Sequence, residues 1–358
     1  MTDADIRRES PRESADVLGS GPTASAGAAA PTHQPAPLRV GILGAGGFAR
    51  HMRQEMRRVP TIDVVAVASR DPDRASACGV EHVFDSYEAL ITSGEVDAVY
   101  NALSNDLHLP WTMVALAHGL PVLCEKPLGL DATEVAMMHD AADAAGVPLL
   151  EGFWHLFHPR FALIRGLVAA GLIGDVLHIN AGFTHSVDFA GNYRAEPALG
   201  GGMLLDLGCY PVAAALWLRD GAHAMSATAL SASHNDLGAD MHVEASLQLS
   251  DGVSVTFTAS ACRESRRWYE VVGQDGILRV EGSAFSHHPE PKDGTSVVLE
   301  QGGQIQEWLV PASDPRAQML GHFVDLVTGG AVPAISPKLS IATAHALDLV
   351  RASMHERA

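Results

Sequence analysis

Apolar positions fall into two textures along the chain. Between residues 38 and about 152 they form short runs, at 38–43, 64–68, 97–103, 121–123 and 148–152, with helix-like stretches between them. Runs that are apolar on both faces suit strands of a parallel sheet covered by helices on each side. From about 224 to 310 the period switches to two, with segments 243–249, 253–260, 268–272, 277–280, 295–299 and 306–310 separated in several places by Asp-Gly or Gly-Gly turns. That alternation predicts an antiparallel sheet with one face packed on helices and the other left open. The region between holds an apolar helix ending near Ala170 and a strand at 176–184, and the chain closes on helices at 318–327 and 340–353. The expected fold is α/β. An N-terminal Rossmann-type, doubly wound parallel sheet spans 38–155, and a C-terminal α+β domain with a large, mainly antiparallel open sheet spans 156–358.

Residues 1–37 lack this periodicity and read as a disordered tail. Arg7-Arg8 within it is followed by polar and acidic residues, so no export signal is expected. A length of 358 residues exceeds one ordinary core, and two domains imply a cleft. With 24 basic against 42 acidic residues, the net charge of -18 argues against nucleic acid or an anionic membrane as partner. No apolar run is long enough to span a bilayer. The four cysteines, Cys78, Cys124, Cys209 and Cys262, show neither metal-ligand nor disulfide spacing. Reduced thiols in a cytoplasm are expected, with no metal site, and with Cys124 and Cys209 as inert packing.

The chemistry gathers at strand ends. After 38–43 comes Gly44-Ala45-Gly46-Gly47-Phe48-Ala49 and then a helix, a glycine turn that lets a diphosphate approach backbone N–H groups at a helix start. The strand at 64–68 ends in Ser69-Arg70-Asp71, with Arg74 nearby. Ser69 and Arg70 suit the 2′-phosphate of NADP, whereas Asp71 in the ribose role would suit NAD. NADP is the favoured cofactor. Leu103, Asn105 and His108 follow the strand at 97–103 on the same edge, and Glu125-Lys126-Pro127 follows 121–123, so Leu103, Asn105, His108, Glu125 and Lys126 are further candidate cofactor contacts, His108 equally a candidate for substrate. Asp131 and Glu134 form a capping box for the next helix, which ends at Gly146. Further on, Gly200-Gly201-Gly202 allow close backbone approach to a ligand, and Asp206 and Tyr210 share a face if their segment is helical, although Pro211 would bend it. Asp206 reads equally as a cap or buried acceptor. Trp154, His155, Tyr193 and Arg194 are candidate substrate contacts; Arg194 and Arg263 suit a diphosphate or are simply solvated.

Taken together these motifs resemble the glucose-fructose oxidoreductase and inositol dehydrogenase (Gfo/Idh/MocA) family, over about 38 to 355. The resemblance implies that Lys126 is catalytic, that Asp206 orients substrate, and that Tyr210 places the chain near the dihydrodiol dehydrogenase, sugar dehydrogenase and sugar ketoreductase branches. Leu156 stands where many relatives carry arginine. The implied activity is NADP-dependent hydride transfer to or from a hydroxyl or carbonyl carbon of a sugar, polyol or cyclic trans-diol. A nucleotide-linked keto-sugar reductase and a non-catalytic nicotinamide-binding sensor are the alternatives. In the expected mechanism the Lys126 ammonium lowers the Tyr210 pKa so that the phenol exchanges a proton with the substrate oxygen. A homodimer or homotetramer through the open sheet face is expected.

Overall fold

The computed structural model describes residues 36–285 and 294–356. The expected tail lies outside them, except for its last two residues. Strands β1 (Leu38–Leu43), β2 (Ile62–Ala68), β3 (His82–Phe84), β4 (Ala98–Asn101), β5 (Val122–Cys124) and β6 (Leu149–Glu151) form one sheet, in the order β3-β2-β1-β4-β5-β6. Every neighbouring pair in it is parallel. Helices α1 (Gly47–Met56), α2 (Pro72–Ser76), α3 (Tyr87–Thr92), α4 (His108–Ala117) and α5 (Ala132–Ala145) connect the strands. This is the doubly wound arrangement, and its ligand edge is the row of strand carboxyl ends.

The predicted capping box forms in part, with Glu134 reaching the residue before the N-cap and not the N-cap itself. The Asp131 carboxylate accepts the Glu134 N–H at 2.9 Å, while the Glu134 carboxylate turns back to the Leu130 N–H at 2.8 Å. Gly146 ends α5 in the left-handed conformation. β3, α2 and α3 were not foreseen: the two helices, of five and six residues, are too short to show a helical period, and β3 is a three-residue strand without the full burial that makes the equally short β5 and β6 legible as apolar runs.

After α6 (Pro159–Ala169) the chain enters an eight-stranded sheet. It comprises β7 (Val176–Ser186), β8 (Ala224–His234), β9 (Asp240–Leu249), β10 (Ser254–Ser260), β11 (Cys262–Gly273), β12 (Ile277–Glu281), β13 (Thr295–Gln301) and β14 (Gln304–Val310), ordered β14-β13-β12-β11-β7-β10-β9-β8. All its pairs are antiparallel except β7 with β10, which places the first strand of the sheet in its middle. One face is buried against α7 (Cys209–Leu218), through Ile179, Ala181, Phe183, Phe257, Tyr269 and Val271. β11 starts at Cys262, six residues before the alternation becomes legible.

The last helices, α8 (Pro315–Val327) and α9 (Pro337–His355), return to the first sheet's domain. α8 packs on α1 and on the Trp154–Phe157 turn, and α9 packs on α5, α7 and β8. Two hydrogen bonds lock α9 to the start of α5: Ala132 N–H to the Asp348 carboxylate, and the Arg351 guanidinium to the Leu130 carbonyl, both at 2.9 Å.

Candidate active site

At the carboxyl end of β1, Gly44 takes φ +101°, and a Cβ there would press on Leu103 and the Ala102 carbonyl. Only glycine fits without strain. Gly46 and Gly47 are exposed with open space around them, and α1 begins with no side-chain cap. The first N–H groups of α1 are therefore free for an anion, beside Phe48 and Ala49. One strand over, Asp71 caps α2 through the Arg74 N–H at 3.1 Å and pairs with the Arg74 guanidinium at 2.9 Å. Its own N–H bonds the Ser69 hydroxyl. Asp71 is thus engaged locally, while Arg70 is exposed and has no ion-pair partner among the described residues. These residues fit a dinucleotide carrying a 2′-phosphate.

The Glu125-Lys126-Pro127 turn is buried, and its peptide bond to proline is cis. The Tyr100 hydroxyl donates to Glu125 at 2.7 Å, and the Glu151 carboxylate accepts the Leu128 N–H at 2.9 Å. His108 is fully buried, with Nδ1 2.8 Å from the Pro127 carbonyl and Nε2 3.2 Å from the Leu103 carbonyl. Burial, the larger influence, pushes its pKa down to about 4. As a neutral ring fastening the turn, His108 has no surface left to offer a cofactor, contrary to expectation. Asn105 is likewise buried and donates to the Gly200 carbonyl at 2.8 Å.

Lys126 projects from this turn to Asp206. Its Nζ donates to the Asp206 carboxylate at 2.9 Å and to the Asp206 carbonyl at 2.7 Å, and it sits 4.9 Å from the centre of the Tyr210 ring. The other Asp206 oxygen pairs with Arg194 at 2.8 Å. Burial disfavours each of these charges, yet mutual attraction wins. The Lys126 and Arg194 pKa values rise above their ordinary ranges, and that of Asp206 falls below the usual carboxylate range. Asp206 and Tyr210 do not share a regular helix face. Residues Leu204–Gly208 form a π-helical turn before α7, a widened turn that suits Pro211, which has no N–H to donate.

The expected depression of the Tyr210 pKa is not what the geometry produces. Burial pushes it up to about 12, outweighing the lowering by Lys126, which lies over the ring rather than at the hydroxyl. The Trp154 indole N–H donates to that hydroxyl at 3.2 Å. His155 packs among Phe153, Phe161, Tyr210 and Phe285, where burial takes its pKa to about 3. It is a buried neutral ring and not an exposed substrate contact. Tyr193 is half-buried, beneath the Arg194 guanidinium. The glycine run serves the protein's own backbone: a Cβ on Gly201 would lie 2.5–2.7 Å from the carbonyls of Tyr193, Arg194 and Glu196.

Three residues at the site were not anticipated. Arg316, from the first turn of α8, is buried over the rings of Phe48 and Trp154 and bonds His51. Arg267 on β11 and His185 on β7 stand near Tyr210 and Asp206 respectively. Arg263 lies elsewhere, in a cavity of about 460 Å³ lined also by Glu244 and Trp268, which shares no residue with the Lys126 site. Cys124 and Cys209 are buried.

Comparison with known proteins agrees with this geometry. Residues 38–153 match the family model described as "Oxidoreductase family, NAD-binding Rossmann fold", and residues 161–279 match the "GFO/IDH/MocA C-terminal domain". The chain is 30% identical to D-xylose 1-dehydrogenase (NADP(+)) 2 of Haloferax volcanii over 87% of this chain and 96% of that one. It is 32% identical to a dTDP-3,4-didehydro-2,6-dideoxy-alpha-D-glucose 3-reductase of Actinomadura kijaniata, over 88% and 95%. The crystal structure of a 3-ketoreductase from Actinomadura kijaniata, in complex with NADP and TDP-benzene, superposes with a TM-score of 0.80 at 30% identity, over 88% and 98% of the two chains. With both family models matched in chain order and relatives aligned over most of its length, this chain belongs to the GFO/IDH/MocA family of oxidoreductases.

Proposed function

We propose that the protein is an NADP-dependent oxidoreductase acting between a hydroxyl and a carbonyl carbon of a sugar or polyol, poised at neutral pH for carbonyl reduction. One observation carries this reading: two unclaimed proton donors stand together at the ligand edge of the sheet. Lys126 spends two of its three N–H groups on Asp206, and the third has no acceptor among the described residues. The Tyr210 hydroxyl accepts from Trp154, and its own proton has no acceptor among them. Both pKa values stand above neutral, so both groups hold their protons at pH 7.

Bound NADP supplies or accepts the hydride. Gly44, Gly46, Gly47 and the start of α1 hold its diphosphate, and Ser69 and Arg70 take its 2′-phosphate. Lys126 and Tyr210 direct hydrogen bonds to the substrate carbonyl oxygen, and as it becomes an alkoxide it takes one proton from this pair while the other donor stays hydrogen-bonded to it. Asp206, fixed between Lys126 and Arg194, aims the ammonium. Trp154 orients the Tyr210 hydroxyl. The sugar class is supported by the xylose dehydrogenase and keto-sugar reductase among the relatives. A cytoplasmic location fits the four thiols, of which none among the described residues is in a disulfide. A homo-oligomer through the open face of the larger sheet completes the reading; the edge strands β8 and β14 leave Met225, Ile305 and Leu309 exposed there.

The test is NADPH absorbance with purified protein over keto-sugars and cyclic diketones, followed by the reverse assay on aldoses, inositols and trans-diols. Turnover with one class, reduced about 10³-fold or more in Lys126→Ala, is expected. NADPH binding without turnover on any of them would instead indicate a nicotinamide sensor.

A further inference from the structure

β11 carries a positive charge into the apolar side of its sheet. Side chains alternate along a strand, and Tyr269 and Val271 on β11 are buried on the α7 side, while Trp268 crosses Gly182 on the other face. Arg267 therefore points inward. It is paired across the ladder with Phe183, and its guanidinium lies 4.5 Å from the centre of that ring. The Phe183 ring is 5.3 Å from that of Tyr210.

Unlike Lys126 and Arg194, Arg267 has no carboxylate. Asp206 has given one oxygen to Lys126 and the other to Arg194. Arg267 forms no ion pair among the described residues, and its Nε is buried without a hydrogen-bond partner. In a chain with 42 acidic residues, nothing in composition forces a guanidinium to go unpaired. A half-buried guanidinium with a free fork of donors is matched to an oxyanion arriving from outside. His185, two residues beyond Phe183 on β7, stands in the same field. Asp206, Arg267, Arg194 and Lys126 all act on it, its Nε2 is buried with no partner, and its ring lies between those of Phe183 and Phe189. Burial lowers its pKa, so at neutral pH it is a neutral ring able to donate one N–H. Asp206 is thus shared between Lys126 and Arg194, and Arg267 stands beside them without a carboxylate of its own.

We propose that Arg267, seconded by His185, determines specificity by binding an oxyanion carried by the substrate. The substrate is then a sugar bearing a phosphate or carboxylate, or one joined through a diphosphate to a nucleoside, and a neutral sugar is the poorer ligand. This deepens the sugar oxidoreductase reading and rests on it.

The experiment is calorimetric titration of the NADPH complex with D-glucose, D-glucuronate, D-glucose 6-phosphate and dTDP-glucose, for the wild type, Arg267→Met and Arg267→Lys. At least one anionic probe should bind ten-fold or more tightly than D-glucose. That preference should fall toward unity in Arg267→Met and be partly kept in Arg267→Lys. Rising salt should weaken the anionic probe on the wild type and leave D-glucose unaffected, a readout that does not depend on a variant folding. Preference for glucuronate or glucose 6-phosphate assigns the oxyanion to the sugar itself. Preference for dTDP-glucose alone assigns it to the diphosphate. Equal affinities, failure of every anionic probe to bind, or a preference unchanged in Arg267→Met would overturn the proposal. Failure of the protein to bind NADPH strikes the oxidoreductase reading instead, so the two can fail separately.

Discussion

Tyr210 and Lys126 carry different burdens although they touch. Lys126 is a charged donor held by one carboxylate, and its loss leaves one buried oxygen of Asp206 without its donor while the other stays paired with Arg194. Tyr210 is a neutral donor whose phenol stays protonated because burial disfavours phenolate. Tyr210→Phe should therefore lower kcat for carbonyl reduction about 10²-fold with little change in NADPH affinity, as steady-state kinetics and a cofactor titration would show. The pH profile follows from the same directions. Reduction needs both protons in place, and both pKa values lie above neutral, Tyr210 at about 12. The rate should stay level from pH 6 to about 9 and fall only beyond it. A limb centred near pH 7 to 8 would mean that a different group donates. The family resemblance grouped Lys126 with Asp206 and Tyr210, and the three stand side by side in the fold. It could not say that the ammonium would lie over the ring and not at the hydroxyl, since that depends on the π-helical turn before Pro211.

At the scale of elements, the residues that sequence reading overlooked stand just outside the stretches whose pattern is legible. Alternation becomes legible at Trp268, one residue after Arg267, because Arg263 to Arg267 interrupt it with polar side chains on both faces. The apolar pattern of α8 is clear from Gln318, two residues after Arg316, whereas the helix starts at Pro315 under an Asp314 cap. Long amphipathic runs reveal which face is core, but the polar residues that make a site dilute the pattern that would locate them. The glycine run was located correctly and its purpose was not: it lets Gly202 N–H reach the Arg194 carbonyl at 2.9 Å, fixing the loop that aims Arg194 at Asp206. Gly201→Ala should destabilise the protein by about 2–4 kcal/mol in denaturant unfolding, since the new methyl meets three carbonyl oxygens and no flexible side chain.

For the whole molecule, the Glu125-Lys126-Pro127 turn is a junction between the two sheets and the C-terminal helices. Glu151, at the end of β6, holds the Leu128 N–H and lines a small closed cavity with Ser340 and Thr343 of α9. Burial raises its pKa from 4.5 to about 7. An acid whose folded pKa exceeds its unfolded one binds more protons in the folded state across that interval. Stability is then highest below pH 4.5 as far as this group is concerned, declines as pH rises to about 7, and carries the full penalty above it. Glu151→Gln keeps an acceptor for Leu128 and removes the titration. It should raise unfolding free energy above pH 7 by about 1–3 kcal/mol, with no gain at pH 4.5 or below. The Rossmann half and the open sheet were both legible because each repeats one period over many residues. The return of α8 and α9 onto the first domain was not, because helix pairing across more than 200 residues leaves no local signal.

The central claim is that this site moves a hydride between NADP and a sugar carbon while Lys126 and Tyr210 manage the oxygen's proton. Its most direct test is single-turnover transfer from NADPH carrying deuterium at both positions of the nicotinamide C4, with the best keto-sugar of the panel and mass spectrometry of the product. The account predicts one deuterium at the former carbonyl carbon with the wild type, and at least a 10²-fold slower appearance with both Lys126→Ala and Tyr210→Phe. Product without deuterium, or label appearing as fast in either variant as in the wild type, would contradict it.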